Sequence, residues 1–267
     1  MADNYFAPLD HRALIRIGGE DRVAFLQGLV SADVSKASED KLLYGAFLTP
    51  QGKFLYDFFL AADGDSLLLE VERAGRDDFR QRLSRFRLRS KVALANEDGL
   101  QVYAVFGPGA DIGRIDTRLP QAGRRAWLAA EPALPRGDWQ AHRIALGLPD
   151  GSADLVPEKT LLLEAGFDEL QGVDWQKGCF LGQEVTARSK YRGQIKKRLF
   201  PVAIEGPTPP PGTPILAGGQ EVGEMRSHRG EIGLAMLRLD SVEKTLSAGE
   251  ARLTAARPAW FNPDFSK

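Results

Sequence analysis

Apolar residues recur along this chain with periods that mark alternating strands and helices. Ala13-Leu14-Ile15-Arg16-Ile17 is a short apolar run closed by Gly18-Gly19, which predicts a strand. Val23, Phe25, Leu26, Leu29 and Val30 then fall near the 3.6 period of an amphipathic helix. Three β segments follow at 44–48, 54–61 and 66–71. Thr49-Pro50-Gln51-Gly52, with proline early and glycine late, turns the first into the second. Asp63-Gly64-Asp65 is a hairpin signal between the second and third. Residues 77–88 read as a helix with Phe79, Leu83 and Phe86 on one face.

A second mixed unit begins at Lys91, with strands expected at 92–95 and 101–106 around Asp98-Gly99, another at 126–128, and a helix over 138–145. Beyond about Leu199 the pattern changes to short β segments between glycines and prolines. Pro207-Thr208-Pro209-Pro210-Pro211-Gly212 is a stiff connector, and strands are expected at 221–225, 232–239 and 251–253. The pattern predicts an α+β protein: a first α+β unit over 1–90, a second over 91–195, and a small C-terminal β-barrel over 196–267.

Composition narrows the classes. The 267 residues are 43% hydrophobic and 27% charged, an ordinary globular mixture. A net charge of −1 gives no global field toward DNA or an anionic membrane, so any basic site is local. Charges interrupt every apolar run well before the roughly 20 residues of a membrane helix. The N-terminus lacks the basic start and apolar stretch of an export signal. A single cysteine makes neither an internal disulfide nor a four-thiolate metal site, so a reducing cytoplasm is the expected compartment.

The distinctive stretch is Trp175-Gln176-Lys177-Gly178-Cys179-Phe180-Leu181-Gly182-Gln183-Glu184-Val185-Thr186-Ala187-Arg188. Gly178 and Gly182 flank the lone cysteine and allow close approach of backbone to a ligand. Gln183-Glu184 marks a helix start. A helix N-terminus and the charge of Lys177 would both favour a thiolate at Cys179; the alternative is a small buried cysteine that fills space.

Residues 177–188, Lys-Gly-Cys-Phe-x-Gly-Gln-Glu-x-x-x-Arg, resemble the signature of the YgfZ family. These are folate-binding, iron–sulfur-cluster-assembly proteins related to the glycine-cleavage T-protein, an aminomethyltransferase. The resemblance runs through nearly the whole chain. Gly19-Glu20-Asp21-Arg22-Val23-Ala24-Phe25-Leu26-Gln27-Gly28 and Ser31-Ala32-Asp33-Val34 are similar to the family's opening helix and loop. Thr49-Pro50-Gln51-Gly52-Lys53 is similar to its first hairpin, Val156-Pro157-Glu158 to a segment before the signature, and Tyr191-Arg192-Gly193 to the lead into its barrel.

The resemblance implies two ferredoxin-like units forming a folate-binding body, with a β-barrel behind them. It implies tetrahydrofolate binding in support of assembly or repair of iron–sulfur enzymes, with iron–sulfur client or assembly proteins as partners and an indirect effect on tRNA modification. Cys179 and Asp57 are the implied reactive residues. Asp57 stands where the T-protein relatives carry an aspartate that assists methylene transfer; its alternative is a polar residue on the outer face of a half-exposed strand. Lys177, Gly178, Gln183, Glu184, Arg188 and Glu158 are the implied folate-site residues, and a carboxylate suits the pterin's two-donor edge. Glu158 has the alternative of a surface or helix-start acid.

Two rival functions remain open at this level. One is a folate-dependent aminomethyl- or methyltransferase using Asp57. The other is RNA binding, including tRNA contact, through two basic runs: Arg80, Arg82, Arg85, Arg87, Arg89 and Lys91, then Arg188, Lys190, Arg192, Lys196, Lys197 and Arg198. Their alternatives are solvated faces balanced by acids, or a dock for a folate polyglutamate tail. Gly107-Pro108-Gly109-Ala110-Asp111-Ile112-Gly113 lacks the spacing and following helix of a dinucleotide loop. His11, His142 and His228 have no metal-site spacing.

Overall fold

The computed structural model describes residues 3–191, 193 and 195–263. Nine strands form one sheet. In chain order they are β1 (Tyr5–Pro8), β2 (Arg12–Gly18), β3 (Lys41–Leu48), β4 (Phe54–Asp63), β5 (Ser66–Glu72), β6 (Ala93–Glu97), β7 (Gln101–Phe106), β8 (Arg114–Asp116) and β9 (Arg124–Leu128). Their spatial order is β1-β7-β9-β8-β3-β4-β5-β2-β6. The β3–β8 contact, parallel through Lys41–Ile115 and Leu42–Asp116, joins the two halves.

The sheet is covered on both faces because its central strands are apolar on both. Along β4, Leu55, Phe58 and Leu60 enter one core with Phe79 and Leu83 of α2 (Arg76–Phe86). Phe54, Phe59 and Ala61 enter a second core with Trp139 of α3 (Trp139–Ala145) and Phe167. From Phe58 to Ala61 this is the period-2 alternation of a strand used twice, and a bulge in the β3–β4 pairing, where Phe47 faces Tyr56 and Leu48 faces Phe54, reverses the two residues before it.

Three expected features differ. The first helix, α1 (Arg22–Gln27), stops at Gln27, and Val30 instead bridges to Phe47. The second ends at Phe86, and Leu88 lies beyond it with φ of 42°. The strands around Asp98-Gly99 do not pair with each other: β6 pairs with β2, while β7 lies between β1 and β9. Burial explains the separation. β6 is half exposed and suits an edge, whereas Val102–Phe106 is buried throughout and needs neighbours on both sides.

After α3 come the short α4 (Gly151–Asp154) and α5 (Gln183–Tyr191). The chain then enters a closed six-stranded barrel: β10 (Lys197–Glu205), β11 (Pro214–Ala217), β12 (Gln220–Arg229), β13 (Ile232–Arg238), β14 (Leu246–Ala248) and β15 (Ala251–Ala255). Phe200, Val202, Ile204, Met225, Leu237 and Leu253 fill it. The expected α+β body with a C-terminal β-barrel is the observed architecture. Among the described residues, no helix is long and apolar enough to cross a membrane.

A buried ionic cluster ties these layers together. Arg12, Arg118, Arg125 and Arg143 meet Asp57, Glu70, Asp116, Asp150 and Asp154, all nearly inaccessible to solvent. The Arg12 fork donates to Glu70 and Asp57 at 3.0 Å each and reaches Asp150 at 3.4 Å. Arg125 also donates to Glu70, and Arg118 pairs with Asp116. Arg143 links Asp154 to Ser227 of the barrel. The guanidinium of Arg125 stacks 3.8 Å from the Phe59 ring centre.

Burial alone would raise the pKa of Asp150, but the bond from His11 and the charges of His11, Arg12 and Arg143 hold it well below the usual range. Asp116 is lowered in the same way, Arg118 and Arg125 outweighing burial. For carboxylates depressed by folding, the stability they add is complete above their unfolded pKa, roughly 3.9. It is lost as pH falls below that value toward the folded pKa. Urea midpoints should therefore be flat between pH 6 and about 4.5 and fall steeply below about 4. An Asp150→Asn variant should show a shallower acid limb; an identical limb would show that Asp150 does not drive it.

Candidate functional site

The signature segment forms a loop laid over the first half of the sheet and held at three points. At the first, the Lys177 ammonium donates to the backbone carbonyls of Gln27, at 2.7 Å, Val30 and Ala32, at 2.7 Å. It thereby caps the C-terminal end of α1 and the turn that follows, where carbonyls lack helical partners. Burial lowers its pKa to about 8, against the opposing pull of Asp33 and Asp174. This charge is thus engaged by the carbonyls at the end of α1 rather than standing free beside the thiol.

At the second point, Leu181 donates its backbone N–H to the Gly28 carbonyl at 3.1 Å. At the third, Gly182 packs on the β3–β4 turn. A Cβ at Gly182 would lie 2.6 Å from the Thr49 carbonyl oxygen, and one at Gly52 would lie 2.8 Å from the Gly182 oxygen. Both glycines have positive φ. Two motifs far apart in sequence therefore meet backbone to backbone, and only glycine permits it.

Cys179 sits at the free crest of this loop and is exposed. The alternative of a buried space-filling cysteine does not hold. Gly178 has φ of 92° with open space where a Cβ would be, so it serves the turn rather than a close approach. Gln183 folds back so that its Oε1 accepts from the Phe180 N–H at 3.2 Å. Glu184 and Arg188 pair at 2.6 Å along the exposed side of α5. Glu158 is exposed on a turn, with φ of 62° and its N–H bonded to the Phe54 carbonyl.

Asp57 is neither exposed nor half exposed. It is 1% accessible and belongs to the Arg12 cluster, so the alternative of an outer strand face does not hold.

Beside the loop lies a cleft of about 430 Å³. Asp33 and Lys36 follow α1, Leu43 and Tyr44 belong to β3, and Asp168, Gln171, Asp174, Trp175 and Gln176 lead into the signature. The Trp175 indole N–H donates to Asp168 at 2.6 Å, and the Lys190 ammonium lies 4.1 Å from its ring centre. Tyr44 stacks on Phe167 with 4.7 Å between ring centres. The Tyr44 side chain is 1% exposed, and its hydroxyl has no hydrogen-bond partner among the described residues. Burial raises its pKa well above 10, keeping it a donor.

Of the residues expected from sequence, only Lys177, Gly178 and Cys179 adjoin this cleft closely along the chain. Tyr44, Asp168 and Gln171 gave no local signal; each lies in a strand or turn whose pattern is ordinary.

The second basic run is largely neutralised and the first in part. Arg198 is buried against Glu169, Lys190 pairs with Asp168, and Arg82 pairs with Asp78. Arg192 lies outside the described residues.

Comparisons with known proteins agree with this architecture. Residues 196–263 match the family of the CAF17 C-terminal beta-barrel domain. The mouse mitochondrial iron–sulfur cluster assembly factor IBA57 is 33% identical, over 95% of this chain and 84% of that protein. The human protein of the same name is 32% identical, over 97% and 85%. The crystal structure of the glycine cleavage system aminomethyltransferase T from Bartonella henselae superposes with a TM-score of 0.74, covering 97% of this chain and 86% of that one, at 13% identity. That likeness shows a shared fold. The expected plain cytoplasmic location is corrected by the relatives, whose names place them in mitochondria.

Proposed function

The chain belongs to the family of the iron–sulfur cluster assembly factor IBA57, and from that premise we propose that it binds tetrahydrofolate in the Tyr44–Trp175 cleft while offering Cys179 to a cluster carried by a partner. The observation that carries the cluster half is the placement of the lone thiol: exposed, on a loop pinned by Lys177, Leu181 and Gly182. Cubane and rhombic clusters take four thiolate-type ligands. Among the described residues no group of three or more His, Cys, Asp or Glu could hold a metal. One thiolate therefore supplies one ligand, and the rest come from a client or assembly protein.

The folate half rests on fit. The cleft falls within the roughly 300–1,000 Å³ of small-molecule sites. Asp33 and Asp174 offer carboxylates to a pterin edge, and Trp175 offers a flat wall. Bound tetrahydrofolate supplies a reduced pterin able to carry one-carbon units. Placement in the YgfZ branch rests on the 177–188 signature, and an influence on tRNA modification is then indirect, through enzymes that receive clusters. The carboxylate of Asp57 is already engaged by Arg12 and by the Gly151 N–H at 3.4 Å, which favours binding over aminomethyl transfer.

Titration with tetrahydrofolate should quench tryptophan emission saturably. Asp174→Ala should weaken binding about tenfold, the worth of roughly 1.5 kcal/mol for a hydrogen bond to a charged group. No saturable change at millimolar ligand, in a chain that still accepts clusters, would remove the folate half alone.

A further inference from the structure

We propose that the end of α2 is a docking ridge for an acidic protein, the one that brings the cluster to Cys179; the proposal rests on the reading of Cys179 as a ligand to a partner-held cluster. Three observations converge there.

The first is Leu88. It follows the C-cap residue Arg87, at the position where helices commonly end in a left-handed glycine. Its φ is 42°, a conformation that L side chains rarely adopt, and its side chain is 90% exposed. Phe86, two residues earlier, is 41% exposed. Neither backbone geometry nor packing accounts for a leucine at this place, and strain kept together with exposure points to an external contact.

The second is charge. Arg85, Arg87 and Arg89 are exposed and interleave with Phe86 and Leu88, and none makes a salt bridge to a described residue. Their neighbours behave differently: Arg80 and Arg82 are paired with Asp77 and Asp78, and Lys91 with Glu20. The residual positive charge is therefore concentrated on the apolar tip itself. A complementary surface is an apolar pocket rimmed by carboxylates.

The third is continuity with the thiol loop. Leu88, Arg89 and Ser90 face Asp21, Ala24 and Phe25 across a cleft of about 840 Å³. Asp21 to Phe25 is the beginning of α1. The other end of α1 supplies the carbonyls that hold Lys177 and Leu181. A helix of six residues is only about 9 Å long. The two ends of α1 are thus closer together than the breadth of an ordinary footprint of roughly 800 Å², so one partner can reach from the ridge to the anchor of the Cys179 loop.

The same features disfavour other occupants. An RNA groove stacks bases on flat aromatic faces, and the most exposed apolar side chain here is aliphatic. Asp21 lines the cleft beside Arg89 and interrupts the continuous positive field that a phosphate backbone or an anionic bilayer needs, whereas a protein surface can set its carboxylates opposite Arg85, Arg87 and Arg89 alone.

The test uses the full chain and, as probe, a purified acidic iron–sulfur carrier protein holding its cluster on cysteine thiolates. Affinity is read by titration at several salt concentrations, and cluster receipt by visible absorption and circular dichroism. The triple variant Arg85→Glu, Arg87→Glu, Arg89→Glu should bind at least tenfold more weakly, with a flatter salt dependence. Leu88→Gly should also weaken binding about tenfold, while raising the thermal midpoint by about 2 °C because glycine relieves the strain. A merely structural leucine would move the midpoint the other way.

Wild-type affinity in both variants, with Cys179→Ser still abolishing cluster receipt, overturns the ridge and leaves the ligand reading intact. Normal cluster receipt by Cys179→Ser overturns that reading and the proposal with it. Absence of saturable carrier binding to the wild-type chain overturns the ridge. So does binding of tRNA or phosphatidylglycerol vesicles that the triple variant loses while carrier binding stays unchanged.

Discussion

Replacing Arg12 by methionine is expected to lower folding stability by about 3–5 kcal/mol, as for the loss of one partner from a buried ion pair. Arg12 is wholly inaccessible, and its fork serves Asp57, Glu70 and Asp150 together. Burial acts to lower its pKa, but these three carboxylates dominate and hold it fully charged. Methionine roughly preserves the aliphatic stem and removes the charge. Asp57 then keeps only the long contact from the Gly151 N–H, and Asp150 keeps His11 and a 3.8 Å approach from Arg143.

Arg12→Lys should fall between, because an ammonium restores charge without the planar fork. Urea unfolding followed by circular dichroism measures all three proteins. A loss below about 1 kcal/mol for Arg12→Met would mean that the carboxylates take up protons at little cost and that the cluster does not depend on its central cation.

Cys179→Ser is expected to abolish cluster receipt without changing the fold. The side chain is exposed, and Gly178 beside it has open space, so serine has nothing to disturb. The thermal midpoint should stay within about 1–2 °C of wild type, as for surface substitutions worth at most 0.5 kcal/mol. Folate quenching should persist, since the cleft is built from other residues. An alkoxide is a much poorer ligand than a thiolate for iron–sulfur clusters, so the absorption bands of a transferred cluster should be lost. Retained bands in the serine variant would remove Cys179 from the chemistry. Alkylation of the single thiol in the wild-type chain gives an independent check, because its exposure predicts ready modification.

The contrast between these two residues shows what could be read early. Cys179 stood out because it is unique and lies in a glycine-flanked signature; both properties are local. Asp57 was placed correctly on β4, yet its surroundings were not legible. Its partner Arg12 lies on β2 and two others in its cluster on β5 and after α3, so nothing near Asp57 in sequence announces them. Lys177 is similar. Its charge was visible, but its target is a set of carbonyls about 150 residues earlier, which only the fold brings within reach.

Local pattern by itself determined the strands β2 to β5, helix α2, the β-rich C-terminal part and the stretch that bears the thiol. Hydrophobic period, turn residues and glycine positions are properties of neighbours along the chain. The tertiary structure alone decided that β6 leaves β7 for the opposite half of the sheet. It also decided that the cleft is lined by β3 and the residues before the signature, and that Leu88 stands in water. Those outcomes depend on ion pairs, backbone contacts and burial between distant segments, whose energies exist only once the layers are packed.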